Sequence, residues 1–335
     1  MLNKLQNKKY ILPAIIAVVW FVMVMARFYV GFNEESGVKY GGKNKAAGHY
    51  VYAAEDLERE ITAFIKDKKS APPSRAYKIF FLLLMLLPLF FLGMVFLFLF
   101  AVKLVKGKKY AEEKITAKIS LPAAWLIFIF WDILHLLAGF ILYFFKVKIS
   151  SISAMVMIYI AISIPPLLLI SCCAGIRQFI TSKSSYARDI LWGFGGYCAI
   201  LPLILAASAI NQVIFQDTTI SSNPVFSLLG NMQSQLDYFL LLVMVVIIGP
   251  AVEEIIFRGY LYTAFRKYFN FAFSALVVSF LFSFIHADVF ALIPILCIGF
   301  VLSAVYEYTG SIVSSFTAHA LWNLNTFLVF VLLFK

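Results

Sequence analysis

The hydrophobic positions of the chain fall into nine long runs that are separated by polar segments. Each run holds roughly the number of apolar residues that an α-helix needs to cross a bilayer core of about 30 Å. The runs span residues 11–26, 79–102, 120–145, 151–173, 190–211, 238–262, 271–287, 289–307 and 312–334. This pattern predicts an all-α fold, a polytopic membrane helix bundle with about nine transmembrane helices.

The runs and the segments between them divide the chain into four parts. Residues 1–27 form an N-terminal transmembrane anchor, residues 28–78 a polar extramembrane segment, residues 79–189 additional transmembrane helices and residues 190–335 a C-terminal membrane core. A cleaved signal peptide is the alternative for residues 1–26, because a basic stretch precedes the first apolar run.

The polar segment is a candidate contact surface. Four of its apolar residues recur at helical spacing among acidic ones, namely Leu57, Ile61, Phe64 and Ile65. The spacing favours a short amphipathic helix that lies on the membrane surface or binds a partner, with a solvated loop as the alternative. Residues 28–78 are therefore a candidate docking surface for a membrane protein partner.

Composition and charge support the membrane assignment. Apolar residues make up 62% of the chain and charged residues 13%, whereas a soluble globular protein has about half and about a quarter. The same figures exclude a disordered chain. The net charge is +11, but 24 of the 28 Lys and Arg residues lie in residues 1–190, largely between apolar runs. Such residues set the orientation and contact the lipid bilayer, so we predict no nucleic-acid partner.

Lys and Arg in the short loops also predict the orientation of the chain. Residues 103–118 carry six of them, residues 174–189 three and residues 263–270 two. Basic loops stay on the cytoplasmic side of a membrane, which places the N-terminus inside and the C-terminus outside.

Two adjacent acidic residues lie in the sixth run, where charge is costly. Glu253 and Glu254 follow Gly249 and Pro250. Glu254 and Arg258 are four residues apart, so they can pair along one helix face. Glu253 points about 100° away from Glu254, which leaves it without a partner in its own helix. Because ionisable residues within membrane helices mark functional sites, Glu253 is a candidate general base.

Two histidines and an asparagine follow in later helices. His286 lies about as far beyond the turn between two runs as Glu253 lies before it, so antiparallel helices bring both residues to a similar depth. His319 and Asn323 are four residues apart and share one helix face. This set predicts that Glu253 takes a proton from water, while His286 orients the water or shares the proton. His319 and Asn323 then donate hydrogen bonds to the developing oxyanion.

Motifs of other intramembrane hydrolases are missing from the sequence. It contains no H-E-x-x-H, no G-x-S-G and no G-x-G-D. The sequence therefore does not support a zinc-protease site on an H-E-x-x-H helix, a serine-based site or an aspartyl site. Asp132 and His135, three residues apart in an earlier run, are interpreted as a structural pair or as the lining of a cavity.

Three short motifs in order resemble those of the CPBP family, the CAAX prenyl proteases and bacteriocin-processing enzymes that are also called Abi proteins. The matches are Glu253, Glu254 and Arg258 in E-E-x-x-x-R, Phe282 and His286 in F-x-x-x-H, and His319 and Asn323 in H-x-x-x-N. The resemblance covers roughly residues 190–335 and implies an intramembrane glutamate-type endopeptidase. It makes Glu253 the catalytic glutamate, with Glu254, Arg258 and Phe282 as supporting residues.

The resemblance also implies a substrate class and leaves two alternatives. The favoured mechanism uses no cofactor, and the alternative is a Zn²⁺ ion held by Glu253, His286 and His319. The implied substrate is a membrane-associated peptide, such as a prenylated or precursor peptide, at the bacterial plasma membrane. Some family members act in self-immunity or as scaffolds, so a non-enzymatic membrane scaffold or bacteriocin self-immunity protein is the alternative function.

Overall fold

The computed structural model describes about two thirds of the chain. The described residues are 20–22, 25, 73–105, 119–145, 152–180, 185–215, 234–286, 288 and 291–334. They form helices and include no strand. The predicted amphipathic helix around Leu57 lies outside the described residues, and so does most of the predicted anchor.

Nine helices follow one another in the described part of the chain. They are α1 Pro73–Val105, α2 Leu121–Phe144, α3 Ile152–Ala174, α4 Arg177–Ile180, α5 Tyr186–Phe215, α6 Gln235–Arg266, α7 Phe271–Ile285, α8 Leu292–Thr309 and α9 Ile312–Phe334. Seven of them, all except α4 and α7, are long and apolar enough to cross a membrane. The chain is therefore an integral membrane protein, and the predicted all-α polytopic bundle is confirmed.

The predicted runs agree with these helices in position. Eight of the nine runs coincide with described helices, and α7 is a shorter apolar helix of 15 residues. Of the first run, only residues 20–22 and 25 are described, and they are helical. The helix α1 begins at Pro73, so the end of the predicted polar segment is part of a helix.

The helix α6 carries the two adjacent glutamates and contains two π-helical segments. The first spans Met244–Ile248 and the second spans Ile255–Tyr262. At the end of the first segment, the Gly249 N–H donates to the carbonyl of Met244, five residues earlier, instead of to the carbonyl of Val245. Pro250 follows and has no N–H to donate. The π geometry therefore leaves the Val245 carbonyl free of its usual α-helical donor, and π segments of this kind often occur at functional sites.

Small residues let α5 lie close to its neighbours α1, α8 and α9. A Cβ atom added at Gly193 in α5 would lie 2.5 Å from the carbonyl oxygen of Ser314 in α9. A Cβ atom at Gly93 in α1 would overlap the carbonyl of Cys198 in α5. Membrane helices commonly pack through small residues in this way, because lipid provides no hydrophobic drive to hold them together.

An aromatic core joins α2, α6 and α7. Phe257 of α6 packs against Phe128 and Phe282 with ring centroids 5.4 Å and 5.1 Å apart. Trp20 of the first run is buried in the same core, and its Nε1 donates a 2.7 Å hydrogen bond to Asp132 Oδ2. This bond connects the first run to α2.

A buried ion pair fixes the end of α6 to α8. Arg266 Nη2 lies 2.8 Å from Glu307 Oε1, and its Nε also faces both oxygens of that carboxylate. The Tyr262 hydroxyl donates to Glu307 Oε2 at 2.8 Å, and Arg266 Nη1 donates to the Phe269 carbonyl at 2.7 Å. These bonds close the α6–α7 turn onto α8.

Candidate active site

The predicted site residues line one cavity between α3, α6, α7, α8 and α9. Its volume is about 420 Å³. Five of the residues singled out in the sequence contribute to its wall, namely Glu253, Phe282, His286, His319 and Asn323. The rest of the wall is largely apolar. The three motifs are thus brought together in space, as their order in the sequence predicted.

Behind the cavity wall, Glu254 and Arg258 form the predicted ion pair along α6. The distance from Arg258 Nη1 to Glu254 Oε1 is 2.8 Å, and both side chains have no exposed surface. Arg258 Nη2 also donates to the Gly299 carbonyl of α8 at 3.2 Å, and the guanidinium lies 4.6 Å from the centre of the Phe282 ring. The pair therefore connects α6 with both α7 and α8.

The ring of His319 connects this ion pair with Glu253. Its Nδ1 lies 3.0 Å from Glu254 Oε1, and its Nε2 lies 3.8 Å from Glu253 Oε2. A carboxylate paired with Arg258 can only accept a hydrogen bond, so the His319 proton is on Nδ1. A neutral His319 then presents the lone pair of Nε2 towards Glu253. The bond to Glu254 fixes the tautomer of the ring, as bonds to carboxylates do for many catalytic and metal-binding histidines.

The two adjacent glutamates have different surroundings. The Glu254 side chain is fully buried, whereas the Glu253 side chain is 17% exposed and faces the cavity. This difference follows from their phase on α6, because adjacent helical residues point about 100° apart. Glu253 is thus the carboxylate that water or a substrate can reach.

His286 lies just beyond the end of α7 and is held by the backbone of that helix. Its Nδ1 is 2.6 Å from the Phe282 carbonyl oxygen, which can only accept, so this nitrogen carries the proton. Its ring also stacks edge-on against Phe282. The sequence predicted a helical run over residues 271–287, which includes His286. The helix α7 ends at Ile285, one residue before His286.

Asn323 is fixed by the first π segment of α6. Its Nδ2 donates a 2.8 Å hydrogen bond to the Val245 carbonyl, the group that the π geometry leaves without its α-helical donor. One Asn323 N–H remains available beside the cavity, because an amide nitrogen carries two. His319, in contrast, has an N–H for an oxyanion only when both ring nitrogens are protonated.

A metal ion would require a different arrangement of these side chains. Within the described ranges, no group of three or more His, Cys, Asp or Glu side chains is arranged to hold a metal ion. The three residues of the zinc alternative, Glu253, His286 and His319, therefore do not form a ligand set in this geometry.

One wall of the cavity was missed by the sequence analysis. The helix α3 contributes Ile152, Met155, Val156 and Tyr159, which lie on one face at the spacing i, i+3, i+4 and i+7. The sequence assigned this helix only to additional transmembrane segments. The spacing was visible, but the opposite face is equally apolar, so the pattern could not distinguish a cavity wall from a lipid-facing surface.

Comparisons with known proteins agree with the C-terminal motifs. Residues 235–325 match the family described as "Type II CAAX prenyl endopeptidase Rce1-like". The chain is 31% identical over 151 residues to the Bacillus subtilis (strain 168) protein named "Putative membrane peptidase YdiL". That match covers 44% of this chain and 58% of the relative, so the chain spans less than two thirds of the relative's length. No solved structure matches the chain. The two matches confirm the resemblance to the CPBP family.

Proposed function

Starting from the similarity of its C-terminal helices to the CPBP family, we propose that this chain is an intramembrane endopeptidase. It hydrolyses a peptide bond of a membrane-associated peptide or protein with an activated water molecule. The observation that carries the proposal is the position of Glu253 and His319 on one cavity wall, with the buried Glu254–Arg258 pair holding the His319 ring from behind.

The water molecule binds between Glu253 and His319. Their facing atoms are 3.8 Å apart, and both are hydrogen-bond acceptors, so one water can donate an O–H to each. Such a water directs its lone pairs away from both groups, towards a substrate carbonyl carbon. When the water oxygen attacks that carbon, Glu253 takes the proton, and the carbonyl oxygen becomes an oxyanion.

The remaining polar groups stabilise the oxyanion and the leaving group. The free N–H of Asn323 donates to the oxyanion. The Nδ1 proton of His286 is used by the Phe282 carbonyl, so a neutral His286 offers an acceptor nitrogen and shares the proton that Glu253 takes from the water. The tetrahedral intermediate then collapses, the C–N bond breaks, and the proton held by Glu253 passes to the leaving amine. His319 contributes to the oxyanion site, as predicted from the sequence, only while it is doubly protonated.

The substrate is a membrane-associated peptide, and a prenylated or precursor peptide is the narrower expectation. The largely apolar wall of the cavity supports an apolar substrate segment. We place the enzyme in the bacterial plasma membrane, with residues 28–78 as a docking surface for a membrane protein partner. No cofactor takes part in the proposed reaction.

A cleavage assay with a matched pair of variants tests the proposal. The full chain is reconstituted in liposomes with a library of quenched fluorescent peptides, and products are identified by mass spectrometry. Glu253→Gln should lower the rate by about 10²–10⁴-fold, because the general base is lost. Asp237→Asn removes a carboxylate in the first turn of the same helix, away from the cavity wall, and should keep the parental rate.

Two outcomes would contradict the proposal. If Glu253→Gln cleaves at the parental rate, Glu253 is not the base. If the parental protein cleaves no peptide, while Glu253→Ala keeps the cellular phenotype and deletion of residues 28–72 removes it, the chain is a non-enzymatic scaffold or immunity protein.

A further inference from the structure

The helix α3 forms a wall of the cavity although it lies outside the segment that matches the peptidase family. Ile152, Met155, Val156 and Tyr159 line the same cavity as Glu253 and His319, whereas the family match begins at residue 235. The chemistry-bearing motifs and this wall therefore come from different parts of the chain. A wall of this kind can differ between proteins that share the same catalytic residues.

Only one face of α3 is turned towards the cavity. Val156 is buried and Met155 is half-buried, whereas Met157, two residues beyond Met155, is 64% exposed. Leu168 and Leu169, further along the helix, are also exposed and suit a lipid-facing surface. The helix thus separates a cavity face from a lipid face over its first two turns.

The cavity face of α3 opposes apolar side chains of three other helices. Ile152 and Val156 belong to one buried apolar cluster with Leu241 of α6 and Phe327 of α9. Met244 of α6 and Ile295 and Ile298 of α8 also belong to the apolar part of the wall. No charged side chain of α3 lines the cavity, and its one lining hydroxyl is that of Tyr159. The end formed by Ile152, Met155 and Val156 therefore accepts an apolar group.

We propose that α3 forms an apolar subsite that binds one side chain of the peptide substrate next to the scissile bond, and that Met155 and Val156 limit its size. This inference rests on the proposed peptidase function. The subsite and Glu253 share one cavity of about 420 Å³, so a group bound against α3 is attached close to the bond that Glu253 hydrolyses. An amino-acid side chain adjoining that bond has the required position and chemistry.

Substitutions at two methionines on opposite faces of α3 test this subsite. Met155→Trp narrows the cavity face, and Met157→Trp places the same bulk on the lipid face. The substrates are quenched decapeptides that differ only in having Ala, Leu or Phe beside the cleaved bond. For each variant, the measured quantity is the ratio of kcat/KM for the Phe and Ala peptides. The ratio does not depend on the fraction of protein that folds.

The expected results differ between the two positions. Met155→Trp should lower the Phe-to-Ala ratio by about 10-fold, because apolar pockets discriminate by roughly 10–200-fold per methylene-sized change. Met155→Ala should raise the ratio or shift the preference to larger side chains, and it serves as the test if the Trp variant does not fold. Met157→Trp should leave the ratio at its parental value.

Failure of this inference can be distinguished from failure of the proposed function. If Met155→Trp, Met155→Ala and Met157→Trp all keep the parental ratio while Glu253→Gln is inactive, α3 does not form the subsite and the peptidase proposal stands. If the parental protein cleaves none of the peptides, or Glu253→Gln cleaves them equally well, the proposed function is wrong and this inference falls with it.

Discussion

Two buried arginine–carboxylate pairs involve the second half of α6, and one of them bonds to a residue of the cavity wall, His319. The pair of Arg258 and Glu254 has no exposed surface, and the pair of Arg266 and Glu307 is 7% exposed at each side chain. Both have an N–O distance of 2.8 Å. They differ in what else each carboxylate binds.

In the pair at the end of α6, the carboxylate and the guanidinium each make several hydrogen bonds. Glu307 uses both oxygens for Arg266 and Tyr262, and Arg266 Nη1 also donates to the Phe269 carbonyl. A buried pair needs such additional bonds to offset the cost of removing two charges from water. This network is a structural clamp between α6 and α8.

The pair beside the cavity is less completely bonded. Glu254 Oε1 is shared between Arg258 and His319, and Arg258 Nε makes no hydrogen bond to any described residue. Each unsatisfied buried group costs stability. We therefore propose that the Glu254 pair serves the orientation of His319 as well as the connection of α6 with α7 and α8.

The largest expected effect comes from removing the arginine of either pair. Arg258→Met leaves a fully buried glutamate without its cation, which should destabilise the protein by about 3–5 kcal/mol. Each carboxylate retains one neutral donor, the His319 N–H for Glu254 and the Tyr262 hydroxyl for Glu307. Arg266→Met should cost less, because Glu307 also keeps some exposure to water. Thermal unfolding of both variants in detergent measures the difference. Equal or reversed losses would contradict the view that the Glu254 pair is the less well satisfied one.

A smaller effect is expected from neutralising each carboxylate, on activity at Glu254 and on stability at Glu307. In Glu254→Gln, the amide carbonyl can replace Oε1 and still accept from both Arg258 and His319, but the charge that strengthens both bonds is lost. The His319 ring is then held less firmly, and its Nε2 is a weaker acceptor for the water. We expect the cleavage rate to fall by about 10-fold, the difference between a charge-assisted and a neutral hydrogen bond.

The matched change at the clamp is Glu307→Gln. It should lower the melting temperature but keep the rate of cleavage per folded molecule, because Glu307 has no contact with His319 or Glu253 among the described bonds. If Glu254→Gln cleaves at the parental rate, or if Glu307→Gln loses activity to the same extent, the two pairs do not have separate roles.

The two pairs also differ in whether they could be predicted from the sequence. The spacing of Glu254 and Arg258 along one helix predicted their ion pair, because helix geometry alone brings residues four apart together. Arg266 and Glu307 are 41 residues apart, so their pairing depends on how α6 and α8 pack and left no local signal. The helical runs were also predictable from local sequence, because a bilayer imposes a minimum apolar length.

The parts of the site that depend on tertiary packing were less accessible from sequence. The approach of Glu253, His286, His319 and Asn323 was predicted from helix order, and they do line one cavity. The bond between His319 and Glu254 was not predicted, because it depends on the rotation of α9 relative to α6. The π segment at Met244–Ile248 was also missed, although Gly249 and Pro250 mark the place where the α-helical bond to Val245 is lost.

The smallest expected effect concerns the hydroxyl that completes the clamp. Tyr262→Phe removes the hydrogen bond to Glu307 and leaves the ring in place, which should cost about 1.5 kcal/mol or slightly more, because the acceptor is charged. The matched control is Tyr260→Phe in the same helix. The Tyr260 hydroxyl is buried and makes no hydrogen bond within normal geometric limits to a described residue. Its polar neighbour is the thiol of Cys173, and a thiol is a weak hydrogen-bond partner.

The two tyrosine variants separate the clamp from general packing of α6. Both remove one buried oxygen, so a loss that comes only from packing would be equal in the two proteins. A larger fall in melting temperature for Tyr262→Phe, with unchanged cleavage, would assign the difference to the Glu307 bond. If the two melting temperatures agree, Glu307 is sufficiently satisfied by Arg266 alone, and the clamp is then no better bonded than the pair beside the cavity.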